Sequence, residues 1–215
     1  MRVTDTAERK GKTYAPRMAP EERREQLLDA ALRIIVNQGI HKVSIDTVAT
    51  EVGVSRPVIY GLFADSNELL RASLDREETA GLAQLAEVAP RTDTPDRAGA
   101  VVESLARFLS AVQAAPDRWR AAFLLVDSST PTFRRRMESG RRAFIAALGR
   151  FIDTVTPAEL ADTVDTEMAA RTLFALYWDA GRLILAEPDT FPADRILTFY
   201  EVVIRALPMF RTDLQ

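Results

Sequence analysis

The chain contains no cysteine and a single histidine, His41, in 215 residues. Without thiols there are no disulfides, thiolate nucleophiles or sulfur ligands, and one imidazole cannot build a zinc site of the His and Cys type. No metal, cofactor or catalytic residue is therefore expected, and most metalloenzyme and Ser-His-Asp readings fall away. Long apolar runs are also missing: nothing approaches the ~20 residues that span a bilayer, and no apolar run near the start precedes a plausible cleavage site. The expectation is a cytoplasmic protein with no membrane partner. Charge of one sign is not in excess either, since 28 Lys and Arg face 31 Asp and Glu for a formal net charge of −3. Any nucleic-acid contact must then come from a local patch.

Sustained strand alternation is absent as well, and what fills the chain is helical periodicity, so the fold class expected is all-α. Residues 1–19 read as a basic arm carrying Arg2, Arg9, Lys10, Lys12 and Arg17. A first helix starts at Pro20 with Glu21 and Glu22, shows an apolar stripe from Leu27 to Ile35, and stops at Gly39. Ser44 can cap a second helix, Ile45 to Val52, which Gly53 ends. Ser55 can cap a third, Arg56 to Phe63, with Pro57 tolerated in its first turn. Asp65 and Glu68 have capping-box spacing ahead of a long helix toward Val88, and Pro90 to Pro95 forms a break. Further helices are expected over Asp96 to Ala115, Asp117 to Asp127, Thr132 to Val155, Asp165 to Glu187 and Pro192 to Phe210. The last two are apolar around most of their circumference, which predicts packing against a second subunit, a homodimer.

The stretch from Ser44 to Leu70, SIDTVATEVGVSRPVIYGLFADSNELL, carries the most information. Ile45, Val48, Val52, Val54, Ile59 and Leu62 supply buried positions of a helix-turn-helix, Ala49 is small where the helices cross, and Gly53 suits a turn that wants φ > 0. Ser55, Arg56, Pro57, Val58 and Tyr60 are left near the exposed start of the second helix, the part that faces a major groove in this motif. A helical corner alone would account for Ala49, Gly53 and Val54, but the full register with its flanking helices favours DNA. Arg56 can reach guanine or a phosphate there, Tyr60 is either a half-buried aromatic or a phosphate contact, and Val58 either meets a thymine methyl or packs. Ser44 and Lys42 join them as backbone contacts, while His41 reads as a surface residue.

With the Gly39-ended first helix, the Ser44-capped second, VGVSRPVIYGLF and NELL in order, residues 20–75 resemble the DNA-binding domain of the TetR family of transcriptional regulators. Two positions depart from its pattern: Ala64 stands where many members have Lys, and Gly61 where His or another larger residue is frequent. The resemblance implies a DNA-binding unit over residues 20–66, a regulatory, ligand-binding and dimerisation unit over 67–215, a double-stranded DNA operator and a small-molecule effector. It also implies an apolar pocket, expected around Phe108, Trp119, Phe123, Phe144, Phe174, Tyr177 and Trp178, with Glu103, Asp127, Asp179 and Arg182 as nearby polar groups. Aromatics at helical spacing are equally the makings of a core.

Asp179 lies three residues before Arg182, an ion-pair spacing that would orient a ligand or fix a dimer register. The arginines Arg134 to Arg136, with Arg141 and Arg142, suit a solvated face or a ligand carboxylate better than DNA. The function expected is a ligand-responsive transcriptional regulator, a repressor released by an apolar or amphipathic effector. The alternatives are an architectural DNA-binding protein without effector and a small helical enzyme built on carboxylates such as Asp127 with Asp179 or Glu103.

Overall fold

In the computed structural model of the chain the structure describes residues 18–125 and 131–210, with the side chains of 131–134 and 136 left aside. Residues 1–17 of the expected arm, and Asp127, lie outside the described residues. Among those described there is no strand, and the helices are α1 (Pro20–Gln38), α2 (Ile45–Val52), α3 (Arg56–Tyr60), α4 (Ser66–Val88), α5 (Arg97–Ala114), α6 (Pro116–Leu125), α7 (Pro131–Val155), α8 (Thr166–Ala186) and α9 (Ala193–Arg205).

Side-chain oxygens begin these helices by accepting the amide protons that have no partner in a first turn. Ser44 Oγ accepts from Thr47 N at 3.1 Å, Asp65 from Glu68 N at 2.8 Å, Asp96 from Gly99 N at 2.8 Å and Asp165 from Met168 N at 3.0 Å. The expected pairing of Asp65 with Glu68 is displaced by one residue, because Glu68 Oε2 accepts from Ala64 N at 2.6 Å rather than from Asp65 N. Two glycines close helices with a positive φ: Gly39 at +95° and Gly53 at +73°.

Two ends fall short of the sequence expectation. The third helix stops at Tyr60 instead of Phe63, since Leu62 N and Phe63 N both turn back to Ile59 O and carry Phe63 into the core. The last helix stops at Arg205, and a 3₁₀ turn takes over at Pro208–Phe210, because Pro208 has no amide proton to continue the ladder.

Three apolar clusters organise the chain. Leu27, Leu28, Ala31 and Ile34 of α1 pack with Ile45, Val48 and Ala49 of α2, Ile59 of α3, Phe63 and Leu69 of α4. An adjoining strip of α1, through Leu32 and Ile35, meets Leu74 of α4 and Ala121 and Leu125 of α6. The largest cluster joins α5, α6, α7, α8 and α9 around Phe108, Trp119, Leu148, Leu173 and Tyr177. Helix α1 is thus sandwiched between the helix-turn-helix and α6.

Polar ties fasten α4 at both ends. Ser73 Oγ donates to the Leu28 carbonyl of α1 at 3.0 Å. At the far end the last carbonyls of α4, which have no partner within the helix, accept from α5: Ser104 Oγ donates to Val88 O, and Arg107 donates to Ala89 O at 3.1 Å. Tyr177 of α8 completes this knot by donating to Ser104 Oγ at 2.6 Å, and burial pushes its phenol well above the usual tyrosine range. Arg205 of α9 forks onto Asp96 at 3.0 and 3.1 Å, joining the end of α9 to the start of α5.

Glycine has opposite values at two sites, and this is testable. Gly53 has open space where a Cβ would sit but a left-handed φ, whereas Gly81 is helical and its Cβ would meet only Arg118 Cδ at 3.9 Å. Gly53→Ala should lower stability by about 1 kcal/mol, and Gly81→Ala should raise it by about 0.5–1 kcal/mol. Urea midpoints at one protein concentration check both signs.

Candidate functional site

The short helix α3 is fixed from below and bare above. Ile59 is fully buried, while Ser55, Arg56, Pro57, Val58 and Tyr60 are exposed, Tyr60 to 55%. The Ser55 hydroxyl makes no cap hydrogen bond, so it remains available to a ligand on that face. Arg56 Nε pairs with Asp46 across the α2–α3 corner, both largely exposed. A phosphate or a guanine edge approaching Arg56 must compete with that carboxylate, which is a solvent-screened and weak partner.

Lys42 and His41 are exposed in the 3₁₀ turn Ile40–Lys42 beside the start of α2. The Ser44 hydroxyl is already engaged with Thr47 N and with Thr47 Oγ1 at 3.0 Å. Its structural work is therefore the helix cap. Arg33 of α1 braces the corner from behind through Glu51 at 3.0 Å. Ser55, Arg56, Lys42 and Tyr60 thus present exposed hydrogen-bonding groups around the α2–α3 corner.

A second site lies inside the other half. Phe108, Trp119, Phe144, Phe174, Tyr177 and Trp178 converge on one cavity of about 100 Å³, lined further by Leu74, Glu77, Glu78, Gly81, Leu82 and Leu85 of α4, by Ala121, Ala122 and Leu125 of α6 and by Arg141 of α7. The rings interlock edge to face, with centroids of Phe108 and Trp119 at 5.0 Å and of Phe144 and Tyr177 at 5.2 Å. Phe123 does not line it. That ring packs edge-on to Trp178 at 4.6 Å and fills the space a side chain at Gly181 would take, 2.8 Å from the missing Cβ.

Among the described residues, Glu103, Asp179 and Arg182 are not at the cavity. Glu103 is exposed and faces Arg107, and Asp179 accepts from Tyr200 Oη at 2.6 Å instead of pairing with Arg182. Arg171 turns to Glu167 at 2.9 Å. The lining is instead Glu77, Glu78, Arg118 and Arg141. Glu77, 7% exposed, receives Arg118 Nε at 2.7 Å and Arg76 at 2.7 Å, and Arg76 also reaches Glu25 and Asp29 of α1, both at 2.7 Å. Burial works against the charge of Arg76, but its bonds to Glu25, Asp29 and Glu77 outweigh it and hold the guanidinium proton more tightly than usual. One connected set of charges thus runs from the cavity wall to α1.

Residues 27–73 match the family model described as bacterial regulatory proteins, tetR family. The transcriptional activator FasR of Mycolicibacterium smegmatis is 34% identical over 117 residues, which is 50% of this chain and 52% of that protein. The match therefore spans about half of the relative's length. Among solved structures, a TetR-like transcriptional regulator from Rhodococcus sp. RHA1 aligns with a TM-score of 0.70 at 20% identity, covering 87% of this chain and 96% of that one. The FadR regulator of Bacillus subtilis in complex with stearoyl-CoA aligns at 0.64 and 13% identity over 85% and 97% of the two chains. A transcriptional regulator from Saccharomonospora viridis in complex with choline aligns at 0.65 and 21% over 86% and 97%. At these identities the structures establish a shared fold.

The exposed face of α3 yields a direct test. Arg56→Ala should weaken binding to a specific duplex by about 1–3 kcal/mol if the guanidinium reads a base, and Tyr60→Phe should weaken all sequences alike if the hydroxyl meets a phosphate. Gel-shift titrations at fixed salt measure both, and unchanged affinity and preference in Arg56→Ala would show that α3 is not the reading helix.

Proposed function

Because the chain belongs to the TetR family of bacterial regulatory proteins, we propose that it is a DNA-binding transcriptional regulator, a repressor that leaves its operator when an effector enters the cavity. One observation carries the reading: the cavity and the DNA-binding unit share walls. Ala121 and Leu125 of α6 line the cavity and also pack on Leu32 and Ile35 of α1, and Leu74 of α4 does the same. Any molecule that spreads α4 from α7 and α8 therefore pushes on the helix behind the helix-turn-helix.

The cavity's size fits such a switch. Its volume of about 100 Å³ is small beside the ~300–1,000 Å³ of pockets that enclose drug-sized ligands. A larger occupant seated among these rings would move α4, α6 or α7, and coupling follows where the moved arrangement differs from the one that binds DNA. Neighbours of the same fold hold stearoyl-CoA in one case and choline in another. An apolar or amphipathic effector is the class that the aromatic lining of this chain supports.

Two copies complete the proposal. Met168 of α8 is 59% exposed, and Phe199 and Val202 of α9 are 63% and 67% exposed, all on the two helices expected to meet a second subunit. Pairing there would hide this apolar surface and set two α3 helices apart by one turn of DNA, about 34–36 Å. None of the described helices is long and apolar enough to cross a membrane.

Sedimentation at micromolar concentration should report twice the chain mass, and Phe199→Glu with Val202→Glu should return the monomer and remove operator binding. For the switch, a compound that quenches Trp119 and Trp178 should weaken operator affinity by the same factor by which operator weakens its own binding, a coupling of about 1–3 kcal/mol. Gly81→Met, which places a side chain into the cavity, should keep DNA binding and abolish the response. Tight binding of such a compound with operator affinity unchanged at saturation would refute the regulatory reading.

A further inference from the structure

Most polar groups that reach the cavity are already spoken for. Glu77 holds Arg76 and Arg118, Arg118 also donates to Gln84 at 3.1 Å, and Tyr177 Oη donates to Ser104. Glu78 is likewise engaged. Among the described residues only two buried side-chain polar atoms lack a partner, Trp119 Nε1 and Arg141 Nε, and both residues line this one cavity. Trp119 is 5% exposed, so water does not satisfy its indole proton.

Both orphans are donors and cannot act as acceptors. An unmade buried hydrogen bond is costly, so an occupant that supplies an acceptor gains more from this site than one that does not. Charge narrows the class further. The Arg141 guanidinium lies 5.6 Å from the centroid of Phe174, over the ring face where a ligand cation would otherwise sit, and its own ion pair with Glu138 is long, at 3.5 Å, and open to solvent. A guanidinium and an indole N–H that line one cavity suit a carboxylate, since bonds to an ionised acceptor are roughly twice as strong as neutral ones. A quaternary amine would bring positive charge beside Arg141 and no acceptor for either proton.

We propose that the cavity selects an apolar molecule ending in a carboxylate, its hydrocarbon body among Phe108, Phe144 and Trp178 and its oxygens accepting from Trp119 Nε1 and Arg141 Nε. The proposal rests on the reading of the cavity as the effector site and adds the chemical class of the effector. Both donor atoms are covered as the side chains stand and become reachable when the walls spread to admit the chain of the acid. Arg118 and Glu77 stay bound to each other and take no part in holding the acid.

Three probes of equal chain length separate the classes: octanoate, octanol and octyltrimethylammonium, titrated into the full chain with intrinsic fluorescence as readout. Octanoate should bind at least about tenfold tighter than octanol, with octyltrimethylammonium weakest. The Trp119 indole proton, assigned in NMR spectra with Trp119→Phe, should move downfield with octanoate and stay in place with the amine. In Trp119→Phe combined with Arg141→Met the preference for acid over alcohol should fall within about twofold, octanoate losing more affinity than octanol, and Arg141→Lys should restore part of it. Equal binding of acid and alcohol, an acid preference that survives the double variant, or no binding by any probe to the folded chain would each overturn the proposal. Acid binding that leaves operator affinity unchanged would uphold it and remove only the regulatory reading.

Discussion

A carboxylate that cannot leave the protein interior governs how this molecule is put together. Glu77 sits in the middle of α4, nearly out of reach of water, and its charge is tolerable only because Arg76 and Arg118 both donate to it. Arg76 in turn is held by Glu25 and Asp29 of α1. Removing one partner of a buried pair is far more costly than the net worth of the pair, so α4 and α6, joined through Glu77 and Arg118, are obliged to keep one mutual register, while the exposed carboxylates of α1 add a weaker tie. The apolar contacts of Leu32, Ile35, Leu74, Ala121 and Leu125 fill the space between the same helices. Hydrophobic packing would tolerate small slides there, whereas the ionic lattice with its fixed geometry does not. The cavity lies against this lattice, and its walls inherit the specificity of that register.

The electrostatics of the surface proposed to face DNA are of another kind. Arg56 and Asp46 are both more than half exposed and their pair is weak, so under the proposed reading exchanging Asp46 for a phosphate would involve little reorganisation. With a formal net charge of −3 over the chain, a long-range positive field is lacking and attraction to DNA is local. Shape must then contribute much of the recognition: a five-residue helix with Pro57 in its first turn and Ile59 locked beneath it is a rigid finger. Few conformations need to be lost when it docks.

Much of the fold was legible because its signals are local. Ser44, Asp65, Asp96 and Asp165 act as caps within three residues of their partners, and Gly39 and Gly53 end helices through their own φ. The aromatic lining was partly legible too, since Phe108, Trp119, Phe144, Phe174, Tyr177 and Trp178 stand out by size and type. The polar lining was not. Arg118 finds Glu77 across 41 positions and Tyr200 takes Asp179 across 21, pairings set by how distant helices rotate against each other. Periodicity fixes which residues share a face but leaves open what that face meets. Asp179 and Arg182 have ion-pair spacing on α8, yet the neighbouring α9 offers a better donor. Glycine at 181 had no local reason either; the explanation is the rings of Phe108 and Phe123 pressed against α8.

The knot at the end of α4 has a mechanical meaning. Ser104 and Arg107 grip the carbonyls of Val88 and Ala89, and Tyr177 locks Ser104, which makes that end a fulcrum. Gly81, at the cavity, stands about 10 Å along the helix from Val88, and Ser66, beside the DNA-reading unit, about 33 Å, at 1.5 Å per residue. Under the proposed switch, α4 turning about this clamp together with α1 would multiply a displacement beside the aromatic rings roughly threefold at Ser66. The gain is fixed by where the clamp sits, and a single hydroxyl, that of Ser104, stands at the pivot.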